Sequence, residues 1–100
     1  MKLVRSLPKD TAGIAIGNQI IRSGTSIGAN VEEAQNCSSR KEFVRSMTIS
    51  LKEARETEFW LKIIIETSLV SKFRLLDILE EVIEIIKMLT TIIKNTKKDK

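Results

Sequence analysis

Hydrophobic positions recur most regularly in the last third of the chain. Leu75, Leu79, Val82, Ile86, Leu89 and Ile93 alternate steps of four and three residues, an unbroken seam of the kind that one helix presents to another. Ile78, Ile85 and Ile92 flank this seam on one side, and Leu76 and Ile83 on the other. The stripe is wider than a helix needs to sit on one partner, so a second helix layer or another subunit is expected to cover the excess. Ser71 is placed to cap this helix, which should run to about Lys94.

The middle segment reads as a helix over 39–68. Ser39-Arg40-Lys41-Glu42 has the form of a capping box, in which Ser39 and Glu42 satisfy exposed backbone donors. Its inward stripe is Phe43, Met47, Ser50, Ala54, Thr57, Leu61 and Ile64, with small residues at the centre. A turn at Leu69-Val70 separates it from the last helix.

Upstream, Asp10 or Thr11 can cap a helix running to about Asn36. Ile14, Gly17, Ile21, Gly24, Gly28 and Val31 follow helical steps along one face. Gln19, Ser23, Ser26, Asn30 and Glu33 form a polar second face. All four glycines lie between Gly13 and Gly28, and each costs a helix interior about 0.5–1 kcal/mol relative to alanine. Close approach of the small-centred middle helix is the expected reason for bare backbone there. Pro8 disfavours helix at Leu7, which limits the N-terminal helical stretch to Met1–Leu7.

The expected fold class is therefore all-α, an antiparallel helical bundle of the four-helix type with a shortened first helix. One domain spans 1–100, with 1–7 as the remnant of the first helix and 95–100 as a basic tail. Composition supports this: 42% apolar, 30% charged and 4% aromatic residues, with a single proline. The longest uncharged run, Thr11 to Ile21, is eleven residues, against about twenty needed to span a bilayer. MKLVRSLPKD lacks an apolar signal core, and the lone Cys37 has no internal disulfide partner. A cytoplasmic protein without membrane association is expected.

Arg22-Ser-Gly-Thr-Ser-Ile-Gly-Ala-Asn-Val-Glu-Glu-Ala34, followed by Ser39-Arg-Lys-Glu-Phe43 and Leu51-Lys-Glu-Ala-Arg-Glu-Thr57, resembles the four-helix-bundle family of rRNA intervening-sequence proteins. The accessory variability protein of diversity-generating retroelements looks like a member of the same family. The resemblance covers Leu7 to about Lys94. It implies antiparallel four-helix bundles, ring-like homopentamers and no established catalysis. The retroelement branch further implies nucleic acid and a reverse transcriptase as partners. Relatives carry a full helix before the LPKDTAG-like turn, where this chain has only Met1–Leu7.

Two groups of side chains stand out. Arg22, Ser26, Asn30 and Glu33 match the family motif, and Glu53 and Glu56 match charged positions of the next helix. These read either as converging groups of a ligand site or as a buried polar network that fixes register, with Arg22 paired to a carboxylate such as Glu56. Lys41, Arg45, Thr48, Lys52, Arg55, Phe59 and Lys62 follow helical steps along the middle helix. Its five basic residues span about 30 Å at 1.5 Å per residue. Such a ladder suits phosphate binding; the alternative is a solvated face tied down by Lys52–Glu56 and Glu58–Lys62 pairs. The net charge of +4 and a pI near 9.4 agree with a basic face.

Catalysis has little in its favour. The chain contains no histidine, so Cys37 and the serines lack the usual general base, and Glu-x-x-His di-metal pairs cannot form. No cofactor or metal is expected. Glu53-x-x-Glu56 and Glu81-x-x-Glu84 read as helix surface, and Cys37 as a small half-buried residue at a helix junction. Tyrosine is absent, which argues against single-strand recognition by base stacking.

Overall fold

In a computed structural model, which describes residues 2–5, 7–67 and 72–98, four helices follow one another. They are α1 (Lys2–Arg5), α2 (Thr11–Gln35), α3 (Arg40–Thr67) and α4 (Lys72–Lys98). No strand occurs among the described residues. The bundle is long and narrow, 48 × 20 × 16 Å. The turn expected at Leu69-Val70 and the cap expected at Ser71 lie outside the described residues.

Capping chemistry sets the helix starts. The Asp10 carboxylate accepts from the Gly13 N–H at 2.7 Å, the standard N-cap bond. At α3 the Ser39 hydroxyl accepts from the Glu42 N–H at 3.1 Å. The reciprocal half of the expected box is displaced by one residue. Glu42 Oε2 accepts from the Ser38 N–H and the Ser38 hydroxyl, each at 3.3 Å, rather than from Ser39.

α3 is the central element, with α2 on one side and α4 on the other. Among the described residues, α2 and α4 nowhere bring Cα atoms within 8 Å of each other. The core has two halves. Near α1, Leu3, Leu7, Ile20, Leu61, Ile64, Leu75 and Val82 pack together. At the other end Ala34, Met47, Ala54, Leu89 and Ile93 do so, joined by Ile27, Val31 and Phe43. The α4 seam expected from the sequence is the packed one: Leu75, Val82, Leu89 and Ile93 are all buried.

α2 is rotated from its expected phase. Ile14 and Ile21 are 55% and 42% exposed, while Ile20 and Ser23 are buried. Ser23, expected on the polar face, sits against α3. The seam between α2 and α3 is built from small hydroxyls and Ala54 instead. Thr57 Oγ1 lies 2.8 Å from Ser23 Oγ, and the Ser50 hydroxyl donates to the Ile27 carbonyl at 2.8 Å.

Gly13, Gly17 and Gly28 do not answer to α3. A Cβ at Gly13 would run into the Pro8 carbonyl oxygen, and one at Gly17 would meet Val4 Cγ1 at 3.0 Å. Both therefore let the N-terminal segment lie close against α2. A Cβ at Gly28 would meet nothing within 4 Å. The expectation that Gly28 sits in a tight helix contact is overturned: it faces open space.

That space is a groove at the fourth corner of the bundle, where α1 fills one end only. Leu3, Ile20, Gly24, Ile27, Leu61, Ile78 and Ile85 line its upper part, about 360 Å³. Ile27, Gly28, Val31, Met47, Ile85, Met88 and Ile92 line the lower part, about 560 Å³. The isoleucine column that exceeds the α4 seam is one wall of this groove.

Candidate nucleic-acid interface

The buried face of α3 carries Ser46, Met47, Ser50, Ala54, Thr57, Leu61 and Ile64. At 3.6 residues per turn, the Lys41–Lys62 stripe points about 160° away from that face. Lys41, Arg45, Thr48, Lys52, Arg55, Phe59 and Lys62 are accordingly all exposed. The basic ladder and the apolar groove thus occupy opposite sides of the molecule.

Ion pairing decides how much of the ladder is available. Lys62 Nζ lies 3.6 Å from Glu58 Oε2, the pair expected along the helix. The expected Lys52–Glu56 pair does not form. Glu56 instead pairs with Arg22 Nη2 across the helix seam, and Arg22 Nη1 reaches Glu53 Oε2 at 3.1 Å. Lys41, Arg45, Lys52 and Arg55 have no ion-pair partner among the described residues. Phe59 stands at the far end of the stripe, edge-on to Trp60 with ring centroids 5.1 Å apart.

The motif residues do not form one site. Arg22 bridges Glu53 and Glu56, and its Nε donates to Gln19 Oε1 at 3.1 Å. Separately, the Asn30 side-chain amide donates to the Ser26 carbonyl at 2.8 Å and lies 3.3 Å from the Ser26 hydroxyl. The Glu33 side chain is exposed and belongs to neither set. The Arg22 clasp is half-open: the arginine side chain is 48% exposed, Glu53 only 17%, and Glu56 Oε2 is buried. The expected Arg22–Glu56 pair forms, but Ser26, Asn30 and Glu33 do not join it. The polar contacts of buried side chains that join α2 to α3 are Ser23 with Thr57 and Ser50 with the Ile27 carbonyl. Helical spacing alone assigns Ser23 to the polar face of α2 and so does not place it against Thr57.

Among the described residues no group of three or more carboxylate or cysteine side chains is placed to hold a metal ion. Cys37 is half-buried at the α2–α3 junction, where its thiol donates to the Ser39 carbonyl at 3.3 Å. No helix among the described residues is long and apolar enough to cross a membrane.

Comparison with known proteins agrees with this architecture. A crystal structure of a protein of unknown function from the S23 ribosomal protein family, from Bacteroides thetaiotaomicron, superposes with a TM-score of 0.86. It is 41% identical, and the match covers 93% of this chain and 86% of that one. No curated protein matches. The family model for 23S rRNA-intervening sequence proteins matches residues 1–91, which take in α1, the glycine-bearing α2, the basic α3 and most of α4. With nearly all of its bundle inside that match, the chain belongs to the 23S rRNA-intervening sequence protein family.

Proposed function

We propose that this chain is a non-catalytic, self-associating helical protein of the cytoplasm that binds the nucleic-acid backbone through the outer face of α3. The observation that carries the reading is the row Lys41, Arg45, Lys52 and Arg55, exposed and without ion-pair partners among the described residues. Phosphate binding draws on such charges, and a ladder on one rigid helix holds its spacing without ordering loops. The contact reads charge rather than sequence, since lysine and arginine on a flat helical face touch phosphates but enter no groove.

The test is fluorescence anisotropy with RNA and duplex DNA over a salt series. Affinity should fall steeply between low and physiological salt. Lys41→Gln, Arg45→Gln and Lys52→Gln together should flatten the log–log slope by about two to three, at roughly 0.7–0.9 for each phosphate no longer neutralised. Identical binding by the triple variant and the parent, with helicity equal, refutes the interface.

A second reading, a protein-interaction module without nucleic-acid binding, is favoured by the apolar groove. Monomers seldom leave a contiguous apolar surface of this kind uncovered.

A further inference from the structure

We infer that Phe59 is a stacking platform for one unpaired base of a nucleic acid held along α3. This rests on the reading that the basic row binds phosphates, and it adds the class of strand: one with an unpaired nucleotide, whether in a single strand, a loop or a bulge.

The ring is out of keeping with its helix. Every other exposed residue of α3 is charged or a threonine, and Phe59 alone is apolar, at 55% exposure. A lone surface hydrophobe needs no explanation by itself, but its position here does. Phe59 follows Arg55 by four residues and precedes Lys62 by three. The two cations therefore stand about 10 Å apart along the helix, with the ring between them. Arg55 is exposed and has no ion-pair partner among the described residues. A strand whose phosphates meet these two cations carries a base across the ring.

The ring is also held in place. Trp60 is half-buried and packs against the core that contains Leu61 and Ile64. It meets Phe59 edge to face, with centroids 5.1 Å apart and planes at 69°. That contact anchors the phenyl ring from one side and still leaves it more than half exposed. An aromatic side chain ordered in advance loses little freedom on binding.

Stacking on such a ring tolerates any sequence, because every base has a π face, and so agrees with a row that reads charge. A run of stacked bases needs several platforms, which a chain without tyrosine does not supply on this face; one platform takes one base. Paired bases inside a helix hide their faces against each other, so only an unpaired nucleotide can use it. Charge favours this occupant over a protein. Pressed against a protein, the ring would take Arg55 with it and leave that cation to be desolvated. Against a nucleic acid, Arg55 meets a phosphate.

Trp60 is the only tryptophan and touches the platform, so its fluorescence reports on the site in the full chain. The experiment titrates that signal, and anisotropy, with oligoadenylate RNA, with an RNA duplex, and with inorganic polyphosphate, a polyanion without bases. Oligoadenylate should change the Trp60 emission and polyphosphate should not. Phe59→Leu alters an exposed side chain, so helicity by circular dichroism should hold. Its affinity for oligoadenylate should fall about tenfold, the equivalent of 1.4 kcal/mol. Its salt slope should equal that of the parent, since no phosphate contact is lost, and its affinity for duplex should not change. Phe59→Tyr should restore oligoadenylate binding. Equal binding of oligoadenylate by Phe59→Leu and the parent overturns the platform and leaves the basic row standing. A loss shared equally by oligoadenylate and duplex, or a Trp60 response to polyphosphate as large as that to oligoadenylate, overturns it too. A parent that binds neither RNA at low salt overturns both readings and gives Phe59 to a protein contact.

Discussion

Arg22 holds Glu56 across the α2–α3 seam, and in doing so removes the carboxylate that lies one turn from Lys52. A contact between two helices thus sets how much positive charge α3 shows to solvent. Arg22→Gln should release Glu56 to pair with Lys52, one turn away on the same helix. The direct stability cost should be about 1–2 kcal/mol, above that of a fully exposed pair, because Arg22 is half-exposed but Glu53 is only 17% exposed and loses its cation. Polynucleotide binding should weaken about twofold at low salt even though no ladder residue has changed. Urea melts and anisotropy on the same variant check both effects.

Within the ladder, Lys52 and Lys62 should not be equivalent. Lys62 is tied to Glu58 and Lys52 is not. Lys52→Gln should therefore lower the salt slope of RNA binding more than Lys62→Gln does. Equal slopes for the two single variants would mean that intrahelical pairing has no influence on phosphate contact.

Glycine-to-alanine replacement should have opposite effects along α2. At Gly13 the new methyl group collides with the Pro8 carbonyl oxygen; backbone cannot easily give way, and the cost should be about 1–3 kcal/mol. At Gly28 the methyl group enters open space, so the helix-propensity gain of about 0.5–1 kcal/mol should appear as a higher melting temperature. Thermal melts of the two variants, recorded at one protein concentration, test the pair.

Thr57→Val should cost about 1–3 kcal/mol, because Ser23 is buried and would lose its hydroxyl neighbour. Adding Ser23→Ala should restore part of that loss, since neither side then leaves a polar group unsatisfied. A double-mutant cycle with no coupling would show that the two hydroxyls contribute independently.

Asp10→Ala should destabilise the protein by about 1 kcal/mol through loss of the 2.7 Å cap to Gly13. Asp10→Asn should recover most of it, which urea titration can distinguish.

The sequence is most legible where side-chain type alternates sharply. The α4 seam can be read directly, because Asp77, Glu80, Glu81, Glu84 and Lys87 gather on the side of the helix opposite its Leu and Ile columns. The α3 stripe is legible for the same reason, down to its exposed Phe59. α2 resists. Isoleucines and glycines lie on several of its faces, and hydrophobicity alone does not separate Ile20, which is buried, from Ile21, which is not. What sets the phase of α2 is the hydroxyl seam with α3 and the passage of the N-terminal segment over Gly13 and Gly17. Both are tertiary contacts of small residues, which hydropathy periodicity does not register. The site is half legible for a related reason. The Arg22–Glu56 pair follows from complementary charge, but whether Glu56 serves Arg22 or Lys52 depends on the distance between helices, not on spacing within one.

α3 supplies the groove floor with one side and the basic row with the other, so the two surfaces never compete for the same atoms. A partner seated in the fourth corner would cover no lysine of the row. Assembly would instead array several outward-facing charge tracks on one body. A polymer long enough to reach from one track to the next would then be held by tethering rather than by tighter contacts, and its grip would grow with its length.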